Sequence, residues 1–149
     1  MQVRPMLWIA LGSLGMTALC ALAQDSYRAL PDPAAMQWVD TGEPFPNTQI
    51  AVIDGDPSKA GPFVLHFRCP DGYVIAPHVH PATEFVTVLQ GTFHAGMGEK
   101  FDRRKLVAMR SGGFFVIPGK AAHFAACEGT TVIELHAIGP WGADMLSEK

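Results

Sequence analysis

Charge is scarce in this chain. Asp, Glu, Lys and Arg make up 17 % of its 149 residues, and the formal net charge is −3. No run of basic residues goes beyond Arg103-Arg104-Lys105, so nucleic acid is not expected as a partner. Internal repeats, low-complexity tracts and long helical patterns are also missing. A repeat array and a helical bundle are thereby set aside. Cysteine is sparse too, at three residues. What the chain does have is apolar residues, 48 % of the total, with 15 Gly and 12 Pro. That is enough apolar content for one domain with a core, built from short elements separated by many turns.

The N-terminus is expected to be a leader. Arg4 gives a weak positive start, Met6 to Leu19 is apolar, and Ala21-Leu22-Ala23 is a small-x-small site before Gln24. This pattern predicts a secretory signal peptide over 1–23, cut after Ala23, and a periplasmic or secreted protein with no membrane span in its mature form. The rival is an uncleaved anchor, because Met6 to Ala23 is nearly long enough to cross a bilayer. Cys20 suggests a lipoprotein, but Leu19 is large for the position before a lipidated cysteine. Cleavage would leave Cys69 and Cys127. An oxidising compartment permits a disulfide between them, and two buried thiols are the other reading.

Residues 24–47 contain Pro31, Pro33, Pro44 and Pro46 and read as an extended arm, with a helical turn near Ala34 to Met36. Strands are expected over Thr48 to Ile53, Pro62 to Arg68, Tyr73 to His80, Glu84 to Leu89, Thr92 to Met97, Phe114 to Ile117, His123 to Cys127 and Thr131 to Ile138. Phe63, Leu65 and Phe67 alternate with Val64, His66 and Arg68, which marks a half-buried strand. Short strands ended by Gly, Pro or Asp predict an all-β sandwich or barrel over residues 48–141, with 142–149 as a C-terminal tail.

Two segments carry chemistry. In the first, His78 and His80 are one residue apart and Glu84 follows, between Gly72 and Gly91. On a strand, residues i and i+2 share a face, so the two imidazoles project together about 7 Å apart at Cα. On the same straight strand Glu84 would lie about 13 Å further along. Pro81-Ala82-Thr83 offers the bend that can return it toward the histidines. In the second segment Gly112-Gly113 makes a turn, Pro118-Gly119 turns again, and His123 starts the next strand.

These segments resemble the two motifs of the cupin superfamily. The first fits Gly-x5-His-x-His-x3-Glu-x6-Gly at every position. The second is similar to Gly-x5-Pro-x-Gly-x2-His-x3-Asn, with Lys120 in place of the glycine and Cys127 in place of the asparagine. The resemblance covers about Phe63 to Ile138. It implies a single jelly-roll barrel of the RmlC-like type, and it implies that His78, His80, Glu84 and His123 are metal ligands. Three nitrogens and one carboxylate suit one divalent transition metal: Fe, Mn, Ni, Cu or Zn. Such an ion can polarise a carbonyl or bind dioxygen beside a chelating substrate. The expected partner is a small-molecule ligand or substrate. The expected function is a small-molecule metalloenzyme of the oxygenase, isomerase, lyase or decarboxylase type, and the alternative is a non-catalytic module that senses a metabolite or metal. A homodimer is compatible with the family and with the arm.

Other polar groups have plainer readings. Glu134 and His136 share a face and are the candidate catalytic pair, provided that they point into the barrel. His66 and His94 read as surface strand residues, and Arg103 to Lys105 as a solvated loop. Phe85, Phe114, Phe115 and Phe124 read as core or cavity lining. Trp141, in Gly139-Pro140-Trp141-Gly142, is expected to cap the barrel end.

Overall fold

The computed structural model describes residue 29 and residues 32–146. The expected leader, its anchor alternative and Cys20 lie outside the described residues. Nine strands follow in chain order: β1 Val39–Asp40, β2 Gln49–Asp54, β3 Gly61–Cys69, β4 Val74–Val79, β5 Glu84–Met97, β6 Val107–Arg110, β7 Phe114–Ile117, β8 His123–Gly139 and β9 Asp144–Met145. The only helical pieces among the described residues are two 3-10 turns, Pro33–Ala35 and Arg103–Lys105. Asp32 and Asp102 cap them, each accepting from a backbone N–H two residues on.

Every pairing is antiparallel, and the strands make one sheet curled into a jelly-roll barrel. The spine is β8. Its second half lies between β3 and the first half of β5, and its first half lies between β4 and the second half of β5. Alternation sorts the side chains. Phe63, Leu65, Phe67 and Cys69 of β3 face inward, with Ala125, Cys127, Ile133, Leu135 and Ala137 of β8. Each large apolar side chain so buried stabilises the fold by about 1.5–3 kcal/mol relative to exposure.

The structure departs from the expected strands in three ways. First, Glu84 to Leu89 and Thr92 to Met97 are one strand rather than two. The register slips between Val88 and Thr92, and the inward set changes from Glu84, Val86 and Val88 to Phe93 and Ala95. Gly91 permits this bend. It has φ 73°, and a Cβ there would lie 2.6 Å from Thr131 Oγ1. Second, His123 to Cys127 and Thr131 to Ile138 are likewise one strand, bent opposite Gly91. Third, Val107 to Arg110, not foreseen as a strand, pairs with Thr92 to Ala95.

The ends of the chain add short strands. In the expected arm, β1 pairs with β2. In the expected tail, β9 pairs with β4, placing Met145 opposite His78 and Asp144 opposite Val79. Inside the barrel Cys69 and Cys127 form a disulfide, with Cα atoms 6.6 Å apart. The cysteine that departs from the motif is thus half of a covalent tie between β3 and β8. A crosslink spanning 58 residues stabilises by about 4 kcal/mol in the chain-entropy view. Among the described residues no helix is long and apolar enough to cross a membrane.

Candidate metal centre

β4 carries Pro77, which has no N–H for the ladder. The register shifts across it, between Ile75 and His78. That shift leaves Ile75 and His78 both buried although they are three apart. His78 then lies directly opposite His123, the first residue of β8. His80 follows just past the end of β4, on the same side as His78. The chain bends at Pro81 to Thr83, as expected, and Glu84 opens β5.

This bend is fixed by the turn from the second motif. Lys120 donates its backbone N–H to the His80 carbonyl at 2.7 Å, and Gly119 donates to Thr83 Oγ1 at 3.2 Å. A Cβ on Gly119 would come within 3.0 Å of the Pro81 carbonyl oxygen, so the glycine is there for close approach. Lys120 takes the left-handed conformation, φ 64°, at the position where the motif has glycine.

The four side chains named by the motif are all buried, none more than 5 % exposed. The three imidazoles form one tight group whose donor atoms lie within 4.8 Å of one another. Their protonation follows from their partners. His78 Nδ1 is 2.7 Å from the Ala76 carbonyl, His80 Nδ1 2.6 Å from that of Gly142, and His123 Nδ1 2.9 Å from that of Ala121. A carbonyl only accepts, so each Nδ1 carries the hydrogen, and each neutral ring presents a bare lone pair at Nε2. His78 Nε2 and His80 Nε2 face each other at 3.0 Å. A hydrogen bond between them would need a charged ring, and the site opposes that. Burial, then the neighbouring His123, pushes His78 down to about 3. Burial pushes His80 down to about 4 and lowers His123 as well.

Lone pairs converging in a buried pocket repel unless a cation lies among them. The donor set therefore fits a metal ion. Bonds of about 2.1 Å to adjacent positions of one ion put two nitrogens about 3 Å apart, the spacing of His78 and His80. Carbonyls holding Nδ1–H groups are the usual way that metal-binding imidazoles are oriented.

Glu84 stands at the edge of this group. Its Oε1 is 3.3 Å from His80 Nε2 and its Oε2 is 3.9 Å from His123 Nε2. Trp141 donates its indole N–H to Oε1 at 2.7 Å and stacks on His80 with centroids 4.7 Å apart. Burial raises the Glu84 carboxyl to about 7, against the lowering effect of the Trp141 bond. Trp141 was expected as a cap. Its hydrogen bond to Glu84 was not, and neither was the role of the Gly142 carbonyl. Phe45 was missed altogether. A tight turn (Phe45 N–H to Gly42 carbonyl, 2.8 Å) and the Thr48 hydroxyl on its own carbonyl, 2.6 Å, hold it. Its ring reaches inward to 5.4 Å from that of His78. An aromatic residue between Pro44 and Pro46 was the available signal.

Glu134 and His136 are not brought to this group. They alternate with Ile133, Leu135 and Ala137, which face inward, and so they lie on the outer face of β8. The expectation that they point into the barrel is corrected on that ground. Glu134 instead accepts from His136 Nε2 at 2.8 Å and from His66 Nε2 at 2.9 Å. His94 reaches Glu128 at 2.9 Å, also on the outside. Phe85 and Phe114 are outer-face residues, 46 % and 59 % exposed. Phe124 is fully buried, and Phe115 stacks on Phe93 and lines the interior.

Fold and histidine cluster together define a cupin barrel with a site that could hold a metal. The chain belongs to the family described as the ChrR cupin-like domain, which matches residues 26–141. Its fold is similar to that of the polyketide cyclase RemF from Streptomyces resistomycificus, with TM-score 0.68 and 14 % identity over 83 % of this chain and 88 % of that one. It is also similar to Rru_A2000 from Rhodospirillum rubrum, a cupin-2 domain, with TM-score 0.62 and 18 % identity over 84 % and 82 %. A third likeness is to salicylate 1,2-dioxygenase from Pseudoaminobacter salicylatoxidans as its gentisate adduct, with TM-score 0.57 and 12 % identity over 74 % of this chain but 31 % of that one. No curated protein matches this chain.

Proposed function

We propose that this protein binds one divalent transition metal through His78, His80 and His123, with Glu84 as a fourth donor, and uses it on a small molecule. The observation that carries the reading is the trio of neutral imidazoles with every Nδ1–H held by a carbonyl and every Nε2 turned inward. When bound, an ion of the Fe, Mn, Ni, Cu or Zn class would act as a Lewis acid toward a bound oxygen function. The chain's own part is to orient the donors and keep them dry. Glu84, with a carboxyl held near neutrality, could also take or give a proton at its Oε2, since Trp141 occupies Oε1.

Similar folds carry a cyclase and a dioxygenase, so catalysis is compatible with this architecture, but fold does not choose the reaction. The second reading is a binding module that senses a metabolite or metal. It is favoured by the outward placement of Glu134 and His136, which leaves Glu84 as the one carboxylate at the centre. Export through the 1–23 leader is part of the proposal, and the Cys69–Cys127 bridge suits an oxidising compartment. Elemental analysis of protein purified without added metal or chelator tests the metal. About one ion per chain is expected, and none in His78→Ala with His123→Ala, which should remain soluble and β-rich. Full metal content in that double variant would sink the assignment. Turnover of a substrate would select the enzyme, and ligand-dependent stabilisation without turnover would select the module.

A further inference from the structure

Behind the imidazoles lies a chamber of about 50 Å³. Phe67, Phe93, Phe115, Ile117, Ile133 and Leu135 form most of its wall, and its only polar side chains are at one end, those of His78, Glu84, His123 and Trp141. No Lys, Arg, Ser, Thr, Asn, Gln or Tyr side chain lines it. That one-sidedness restricts what can enter. A carboxylate or phosphate placed among these rings would be buried without a cation or hydrogen-bond donor, and a sugar would leave its hydroxyls unpaired. Size restricts it further. An apolar cavity of about 150 Å³ stays dry and binds benzene or xenon, so this smaller one has room for a few heavy atoms.

We propose that the chamber takes a small uncharged apolar molecule, or the short hydrocarbon end of one, with any polar atom directed at the imidazoles. The direction of the polar atom rests on the metal reading above, but the choice of an uncharged apolar occupant does not. Without a cation at the imidazoles, the wall offers no partner to a charged or polyhydroxylated metabolite.

The test uses methyl NMR on the purified chain, both chelator-treated and zinc-loaded, with xenon as the probe. Xenon should shift the methyl signals of Ile117, Ile133 and Leu135 saturably in both forms. Acetate and inorganic phosphate should leave those signals unmoved in the chelator-treated form. Ala95→Leu, which fills the partly buried side of the chamber, should weaken the xenon response at least tenfold. Phe115→Ala, which enlarges it, should let benzene shift the same methyls, and it keeps the test decisive if Ala95→Leu does not fold. An absent xenon response, or acetate moving the same methyls in the metal-free protein, would overturn the proposal. A parallel zinc titration reports on the metal reading by itself. Xenon binding without zinc binding would sink that reading and leave this one standing.

Discussion

The inner and outer faces of β8 both bring histidine close to a carboxylate, yet they place their protons in opposite ways. Outside, the His66 and His136 Nε2 atoms donate to Glu134. Burial alone would raise the Glu134 carboxyl, but those two bonds outweigh it and hold the group below its ordinary value. Each of those Nε2 protons has a taker, although His66 Nδ1 is buried without a partner. Inside, the Nδ1–H groups are already committed to backbone carbonyls, so the Nε2 atoms have nothing to offer one another. The inner cluster is an electrostatic problem that a cation solves. Residue type does not distinguish the two groupings; what does is which ring nitrogen the backbone claims.

The sharpest way to break this comparison is to alter Glu84. At its raised value of about 7, a metal that recruits the carboxylate must displace a proton below neutrality. Affinity should therefore fall about tenfold per pH unit as pH drops below about 7, with one proton released per ion. His78 and His80, at about 3 and about 4, join that competition only in strong acid. In Glu84→Gln, affinity should be about a hundredfold lower, and the fall that begins at about pH 7 should be gone, leaving only the histidines, all lowered from 6.5, to titrate. Calorimetric titration in buffers of different ionisation enthalpy counts the protons. A wild-type curve as flat as the variant's would show that Glu84 is no ligand. The signs also separate in metal-free stability. The lowered histidines favour the fold above their ordinary 6.5, and that contribution drains away as pH falls toward 3. Glu84 favours it below its ordinary 4.5, and that contribution drains away as pH rises through 7.

Trp141→Phe is a milder intervention. It keeps an aromatic ring over His80 while removing the N–H on Glu84 Oε1. Loss of an outer hydrogen bond of this kind weakens metal binding about tenfold. An equilibrium titration with Zn²⁺ against a competing chelator reads it. Unchanged affinity would mean that Trp141 only fills space.

The buried cluster of three histidines and Glu84 was legible in the sequence because its signal is local. His78 and His80 sit at strand spacing, Pro81 to Thr83 breaks the strand before Glu84, and Pro118-Gly119 precedes His123. The barrel was legible for the same reason, in the alternation along β3. What was not legible depends on distant contacts. A glycine that ends an apolar run looks the same whether the chain reverses or merely bends. Only Thr130 and Thr131, pressed against Gly91, decide for the bend. Phe45, before β2, and Trp141, after β8, reach the site from segments far apart in the chain, and no local pattern announces that. The error over Glu134 and His136 is of a different kind. Ile133, Leu135 and Ala137 carry the alternation that puts the pair outside, and the signal stood in the sequence unread.

Lys120 sharpens the comparison from the backbone side. Its N–H fixes the His80 carbonyl from a left-handed conformation, which costs a residue with a Cβ about 1 kcal/mol. Lys120→Gly should keep the hydrogen bond, relieve that cost and stabilise the fold by about 1 kcal/mol, less the extra entropy glycine loses on folding. Urea unfolding of the metal-free protein measures it. A destabilised variant would mean that the lysine side chain supports the turn in a way its backbone does not show.

The smallest effect is expected outside. In Glu134→Gln the amide oxygen can still accept from one imidazole, while the amide N–H₂ confronts the donor on the other. His136, about half exposed, can turn that nitrogen to water, so the cost should stay within about 1 kcal/mol. Metal content should not change, because Ile133, Leu135 and the sheet backbone separate this carboxylate from the inner imidazoles. Elemental analysis beside a urea melt measures both quantities on one sample. Loss of metal with the fold intact would mean that the two faces of β8 are coupled through the strand, and that proton placement outside sets the geometry of the donors inside.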